Sequence, residues 1–206
     1  MSKKLILLDA YALIYRAHFA FIKNPRINSK GLNTSAIFGF CNSLLEVTNK
    51  FDPSHIGVVF DPPGGSDREG VFADYKANRQ EMPEDIRKAI PYIFDLLKAM
   101  NIKVEMEEGF EADDVIGTLA KQAEKKGFET YMMTPDKDFG QLVSDHIFIY
   151  KPGRSGNPSE ILGPKEVCEK FEVKDPLQVI DILGLWGDAV DNIPGVPGVG
   201  EKTAKK

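Results

Sequence analysis

Only two cysteines, Cys41 and Cys168, occur in the 206 residues, and they stand far apart. That scarcity excludes a disulfide framework or a cysteine-rich zinc site, fits a reducing cytoplasmic setting, and leaves both as expected core residues. No uninterrupted apolar stretch approaches the ~20 residues of a membrane span. The apolar run after Met1-Ser2-Lys3-Lys4 is broken by Asp9 and again by Arg16, so it does not read as a signal peptide. The three histidines, His18, His55 and His146, lack metal-ligand spacing, and no Gly-x-Ser-x-Gly motif supplies a nucleophile. An excess of basic residues is missing too. The formal net charge of −5, taken alone, argues against a nucleic-acid partner, whose phosphates are bound by Lys and Arg. The average conceals the distribution, because acids gathered around metal ions would leave a less acidic surface.

What is present is an ordinary soluble composition, 42% hydrophobic and 28% charged, long enough for one sizeable core or a main domain with an appendage. Lys4-Leu5-Ile6-Leu7-Leu8 suits a strand buried on both faces, and Asp9 stands at its end. Ile56 to Phe60 repeats the pattern, ending at Asp61 before Pro62-Pro63-Gly64-Gly65, which continues neither strand nor helix. Thr130 to Thr134 repeats it again, leading into Pro135-Asp136-Lys137-Asp138 and a short helix. Helical periodicity marks residues 10–22, 34–50, 83–101 and the stretch after 111, with Ile102 to Met106 and His146 to Tyr150 as further strands. A Pro- and Gly-rich connection spans 152–158, and two short helices come after it, Pro164 to Phe171 and Pro176 to Trp186. Strands alternating with helices predict a parallel α/β sheet with its ligand site at the strands' carboxyl ends.

The densest acidity is Glu111-Ala112-Asp113-Asp114, three carboxylates in four residues at a helix start. The helix dipole offsets only ~0.3 to 1 kcal/mol per exposed group, which mutual repulsion could cancel. A hard divalent cation such as Mg²⁺ is the natural partner of such oxygens. Asp188 and Asp191, three apart, would share one face of a helical turn. Each acid also has a purely structural role open to it: Asp61 in a turn, Glu111 to Asp114 at a dipole, Asp136 as an N-cap, Asp191 capping the hairpin. Four such groups at strand ends or helix starts of one chain do not coincide by chance.

Two other stretches carry chemistry. From Arg68 to Met82 periodicity fades into basic and aromatic residues, Arg68, Phe72, Tyr75, Lys76 and Arg79, as in a mobile or partner-dependent segment. Ile193-Pro194-Gly195-Val196-Pro197-Gly198-Val199-Gly200-Glu201-Lys202-Thr203 reads as a tight turn whose following amides suit a phosphate backbone.

Asp9, Asp61, Glu111-Ala-Asp113-Asp114, Thr134-Pro-Asp136-Lys-Asp138 and Gly187-Asp188-Ala-Val-Asp191-Asn192-Ile-Pro-Gly195, taken with Tyr75-Lys76-Ala77-Asn78-Arg79 and Gly195 to Thr203, resemble the 5′ nuclease domain family of bacterial DNA polymerase I. This is the bacterial branch of the flap endonucleases. The resemblance runs along the whole chain. It implies a PIN-like α/β core with a mainly parallel sheet flanked by helices (1–162), a helical arch at about 64–82, and the start of a helical-hairpin DNA-binding subdomain (163–206). The expected protein is a truncated piece of a cytoplasmic monomer, fused in its relatives to a polymerase.

By the same resemblance, Asp9, Asp61, Glu111, Asp113 and Asp114 would ligate a first Mg²⁺, directly or through water, and Asp136, Asp138, Asp188 and Asp191 a second. Mn²⁺ could replace either ion. Lys76 and Arg79 would be catalytic, while Arg68, Tyr75, Gly195, Gly198, Gly200 and Lys202 would contact DNA, with K⁺ possible at the glycine turn. Asp67 and Glu69 depart from the aromatic residue and histidine that the family sets beside Arg68. The implied activity is cleavage of 5′ ends and 5′ flaps in replication and repair. Two alternatives are a truncated DNA-binding fragment with metal sites but little turnover, and a PIN-type ribonuclease.

Overall fold

Residues 3–153 and 158–206 are described in the computed structural model. The first apolar run forms strand β1, Lys3–Asp9, and helix α1, Ala10–Ala20, begins where the Asp9 Oδ1 accepts the Ala12 amide at 3.1 Å. Helix α2, Ser35–Phe51, packs close against α1 at Gly39, where an added Cβ would stand 2.4 Å from the Ala17 Cβ. Strand β2, His55–Val59, is followed by a short helix α3, Arg68–Val71, and by α4, Glu84–Ala99. Strand β3, Lys103–Glu105, leads to the acidic helix α5, Ala112–Lys125, and on to β4, Phe128–Met133. A 3₁₀ turn at Asp138–Leu142 precedes β5, Ile147–Lys151, and β6, Glu160–Leu162. The C-terminal part holds α6, Pro164–Phe171, a 3₁₀ turn at Pro176–Gln178, α7, Val179–Trp186, the small hairpin β7, Gly187–Asp188, with β8, Ile193–Pro194, and α8, Glu201–Ala204.

Strands order as β3-β2-β1-β4-β5-β6, all pairs parallel except β5 with β6. The period of two along each strand divides the core. Ile6, Leu8, Val58, Phe60 and Met133 join α1, α2 and α4 on one face, while Leu7, Val59 and Met132 join α5, α6 and α7 on the other. The sheet is thus covered on both sides, which is why its strands read as apolar runs rather than alternating ones. Sequence order reverses between β1 and β4, and the carboxyl ends of those two strands form the crevice where such sheets bind ligands.

Most expected elements appear within a residue or two of their expected bounds. Four readings change. Strand β6 pairs antiparallel with β5 where only a connection was read, and 154–157 of that connection lie outside the described residues. The helix expected from Pro176 opens as a 3₁₀ turn, because the Asp175 carboxylate caps the Leu177 amide at 2.8 Å. The described 64–82 stretch holds one short helix and turns rather than a helical arch. Cys41 and Cys168, expected in the core, are free thiols of intermediate exposure.

Candidate metal centre and nucleic-acid interface

Parallel pairing carries the ends of β1, β2 and β4 to one side of the sheet, so Asp9, Asp61 and Asp136 arrive beside the N-terminus of α5. There Asp61 Oδ1 accepts the Ala112 amide at 2.9 Å, tying the end of β2 to the start of the acidic helix. Asp9 Oδ2 accepts the Thr134 hydroxyl at 3.0 Å, tying β1 to the end of β4. Asp136 Oδ1 accepts the Asp138 amide at 2.9 Å, and Asp114 Oδ2 accepts the Glu111 amide at 3.1 Å. Local capping roles therefore coexist with convergence on one crevice.

Convergence has an electrostatic cost. Burial, with Asp61 and Asp136 adding repulsion, raises the Asp9 carboxyl to about 6, against the pull of the Ala12 amide and Thr134 hydroxyl. Asp113 is raised further, to about 8, by burial and then by Asp9, Asp136 and Asp61. Burial and Asp136 also raise Asp138. Crowded oxygen donors that resist ionisation until a cation arrives have the chemistry of a divalent-metal site, because a bound cation reverses that penalty.

A second ring of acids is neutralised by the protein itself. Glu111 Oε2 lies 2.7 Å from Arg68 and 2.8 Å from Lys76, and it accepts the Tyr75 hydroxyl at 3.0 Å. Burial pushes the Glu111 carboxyl up, but Lys76, Ser66 and Tyr75 outweigh it and hold it below its ordinary value. Arg68 also pairs with Asp114 at 2.7 Å. Asp191 receives Arg79 at 2.6 Å, the Tyr75 hydroxyl at 3.3 Å and Lys76 at 3.9 Å. Lys137 bridges Asp138, at 3.1 Å, and Asp188. Burial would raise Asp188, yet the bond from Lys137 and the Val190 amide lower it. With so many carboxylates drawn aside, no group of three or more His, Cys, Asp or Glu side chains among the described residues stands ready-made around a metal.

The basic segment is anchored through its backbone as well. The Lys76 amide donates to the Asp191 carbonyl at 2.9 Å, Asn78 to the Ala189 carbonyl at 2.8 Å, and Asn192 to the Asp74 carbonyl at 2.7 Å. Asp188 and Asp191 do not share a helical face: Asp188 closes β7 and caps the turn by accepting the Val190 amide at 2.7 Å, while Asp191 faces Tyr75 and Arg79. Gly195 has a packing reason of its own, since an added Cβ would meet the Trp186 carbonyl oxygen at 2.3 Å. Gly198 turns with φ +80°, Gly200 precedes α8, and Lys202 is exposed on it. A cleft of about 700 Å³ opens over Arg68, Tyr75, Glu111, Asp113 and Asp191 and runs along α5 to Lys121 and Lys125.

Three participants have no role assigned from the sequence. Lys137 was flanked by two expected ligands, which was the one signal available. Thr134 opens the motif that holds those ligands, whereas Ser66, donating to Glu111 at 2.9 Å, carried no such signal. His18 is buried, whereas His55 and His146 are exposed away from these acids.

An open, doubly wound sheet with acids at its switch point places this chain in the class of PIN-like nuclease folds. Among solved structures, it superposes on T5 5′-exonuclease with bound divalent zinc ions at a TM-score of 0.80, with 20% identity, covering 98% of this chain and 73% of that one. The chain belongs to the 5′-3′ exonuclease family: residues 4–172 match the family's N-terminal resolvase-like domain, and 174–206 its C-terminal SAM fold. It is 44% identical over 205 residues to DNA polymerase I of Bacillus subtilis, covering 99% of this chain but 23% of that protein. It is also 41% identical to a 5′-3′ exonuclease of Aquifex aeolicus, covering 98% of this chain and 68% of that protein. The chain therefore spans about a quarter of the DNA polymerase I relatives. Among the described residues no helix is long and apolar enough to cross a membrane.

Proposed function

We propose that the chain is a divalent-metal-dependent, structure-specific 5′ nuclease that hydrolyses DNA phosphodiesters at 5′ ends and 5′ flaps. The observation that carries this reading is the meeting of Asp9, Asp61 and Asp136, at the carboxyl ends of parallel strands, with Asp113 at the start of α5, where burial first and then neighbouring aspartates hold Asp9 and Asp113 back from ionising. Asp9, Asp61, Glu111, Asp113 and Asp114 would hold one Mg²⁺, and Asp136, Asp138, Asp188 and Asp191 a second, with Mn²⁺ as a substitute. Divalent cations there supply the means to activate a water and to offset charge growing on the phosphoryl and leaving oxygens.

The chain's own side chains do the rest. Lys76 and Arg79, now on Glu111 and Asp191, are free to pair with phosphoryl oxygens once those acids have another counter-charge. Their charge then stabilises the transition state electrostatically. Arg68 serves the same strand, and Tyr75 offers an aromatic face to a base beside the scissile phosphate. Gly195, Gly198, Gly200 and Lys202 would present the turn before α8 to the duplex backbone, with a monovalent cation such as K⁺ at its carbonyls. The substrate is DNA, and the chain acts as a monomeric cytoplasmic nuclease unit of the kind that is joined to a polymerase in its DNA polymerase I relatives.

Cleavage of an end-labelled 5′-flap DNA in Mg²⁺, abolished by EDTA, tests the reading. Asp113→Asn and Asp136→Asn should each lower turnover by about 100-fold or more. Cleavage that persists in EDTA, or full activity in both variants, overturns it.

A further inference from the structure

Lys137 stands among the acids in a way that the proposed hydrolysis does not use. Its Nζ lies 3.1 Å from Asp138 Oδ1, forms a close ion pair with Asp188, and sits 5.5 Å from the centroid of the Trp186 ring. The Asp188 side chain is only 14% exposed and that of Lys137 28%. Two carboxylates and an aromatic face, partly withdrawn from water, all favour a monovalent cation at that point. The lysine arrives there because it lies between Asp136 and Asp138 on the turn after β4, while Asp188 is delivered by the end of β7 and Trp186 by the end of α7.

We propose that Lys137 is the resident counter-ion of the Asp138–Asp188 pair, so that a divalent cation binds this pair only by expelling the ammonium from between the carboxylates and from the Trp186 face. The inference rests on reading Asp138 and Asp188 as divalent-metal ligands. The exchange weakens the pair's affinity for the divalent cation, because two charge-assisted contacts must break first. It also prevents two partly exposed carboxylates from facing each other uncompensated when no metal is bound. Trp186 is the chain's single tryptophan, so its fluorescence reports the departure of the lysine directly.

The test uses the whole chain without DNA. Mn²⁺ binding is counted by the loss of its free EPR signal, and Trp186 emission is followed while Mg²⁺ is added, for the wild type, Lys137→Met, Lys137→Gln and Asp188→Asn. In the wild type, the emission should change in step with one class of divalent binding. Removing the lysine charge should tighten that class by roughly three- to tenfold, in keeping with the worth of partly exposed ion pairs, and should abolish most of the emission change. Asp188→Asn should weaken the same class. Mn²⁺ binding unaltered by Asp188→Asn would overturn the ligand assignment and the exchange with it. Binding that Asp188→Asn weakens but neither lysine variant tightens would overturn the exchange alone. So would a wild-type emission that stays constant as that class fills, a measurement that needs no variant to fold.

Discussion

At Asp113, burial and three neighbouring aspartates oppose ionisation together, and the carboxyl is raised to about 8. In the unfolded chain the same group ionises near its ordinary 3.8. Between those values the folded state holds a proton that the unfolded state has lost, so stability falls as pH rises through that window. Asp9, raised to about 6, adds a contribution of the same sign over the lower part of it. Asp113→Asn removes the penalty at its largest source. In EDTA at pH 8 the variant should resist urea better than the wild type by on the order of 1–3 kcal/mol, with the difference closing towards pH 4. Saturating Mg²⁺ should reverse the order, because a ligand that binds only the folded state stabilises it by mass action. Equal wild-type and variant stability at pH 8 in EDTA would show that burial and the neighbouring aspartates do not penalise the Asp113 charge as their placement requires.

Among the elements, legibility follows periodicity. Strands β1, β2 and β4 show in the sequence as short apolar runs, because both faces of the sheet are covered, and Asp9, Asp61 and Asp136 follow from where those runs stop. The start of α5 is legible for a similar reason, three acids preceding a regular helical pattern. Strand β6 is not: Glu160-Ile161-Leu162 is too short to carry a period, and pairing with β5 alone creates it. The 74–79 segment is equally silent, since its order comes from contacts with Ala189 to Asn192 more than a hundred residues away. Asn78 and Asn192 clamp it to that turn by side-chain bonds to main-chain carbonyls. Replacing both by alanine should speed hydrogen exchange in 74–79 while leaving β1 and β4 protected, since local opening need not involve the core. Unchanged exchange there would mean that the ion pairs of Lys76 and Arg79, with the Lys76 amide and the Tyr75 hydroxyl, hold the segment without the two asparagines. The β7–β8 hairpin is a sharper case. Gly187 has φ +78°, and Gly195 packs against the Trp186 carbonyl with no space for a Cβ. Gly195→Ala should therefore cost about 2 kcal/mol or more in a thermal melt, whatever that glycine does for DNA.

For the whole molecule, the net charge of −5 and the proposed DNA substrate are reconciled by where the cations are placed. Arg68, Lys76 and Arg79 are engaged by Glu111, Asp114 and Asp191, so without metal DNA meets acids whose basic neighbours are already paired. On the proposed function, divalent cations would change both sides of that balance, adding positive charge to the crevice and releasing side chains towards phosphate. Binding of a flap DNA, followed by fluorescence anisotropy with Ca²⁺ in place of Mg²⁺, should therefore tighten by about tenfold or more over EDTA. Two or three released cations should steepen the dependence of log affinity on log salt by about 2 to 3, as phosphate contacts displace condensed counterions. Lys76→Ala with Arg79→Ala should remove most of that gain. Lys202, exposed on α8, has no ion pair with the site's acids among those described, so Lys202→Glu should weaken binding by a similar factor in EDTA and in Ca²⁺. Affinity that is the same in both media for the wild type would show that the basic segment reaches DNA without leaving its carboxylates, and the chain's own ion pairs would then be part of the bound state.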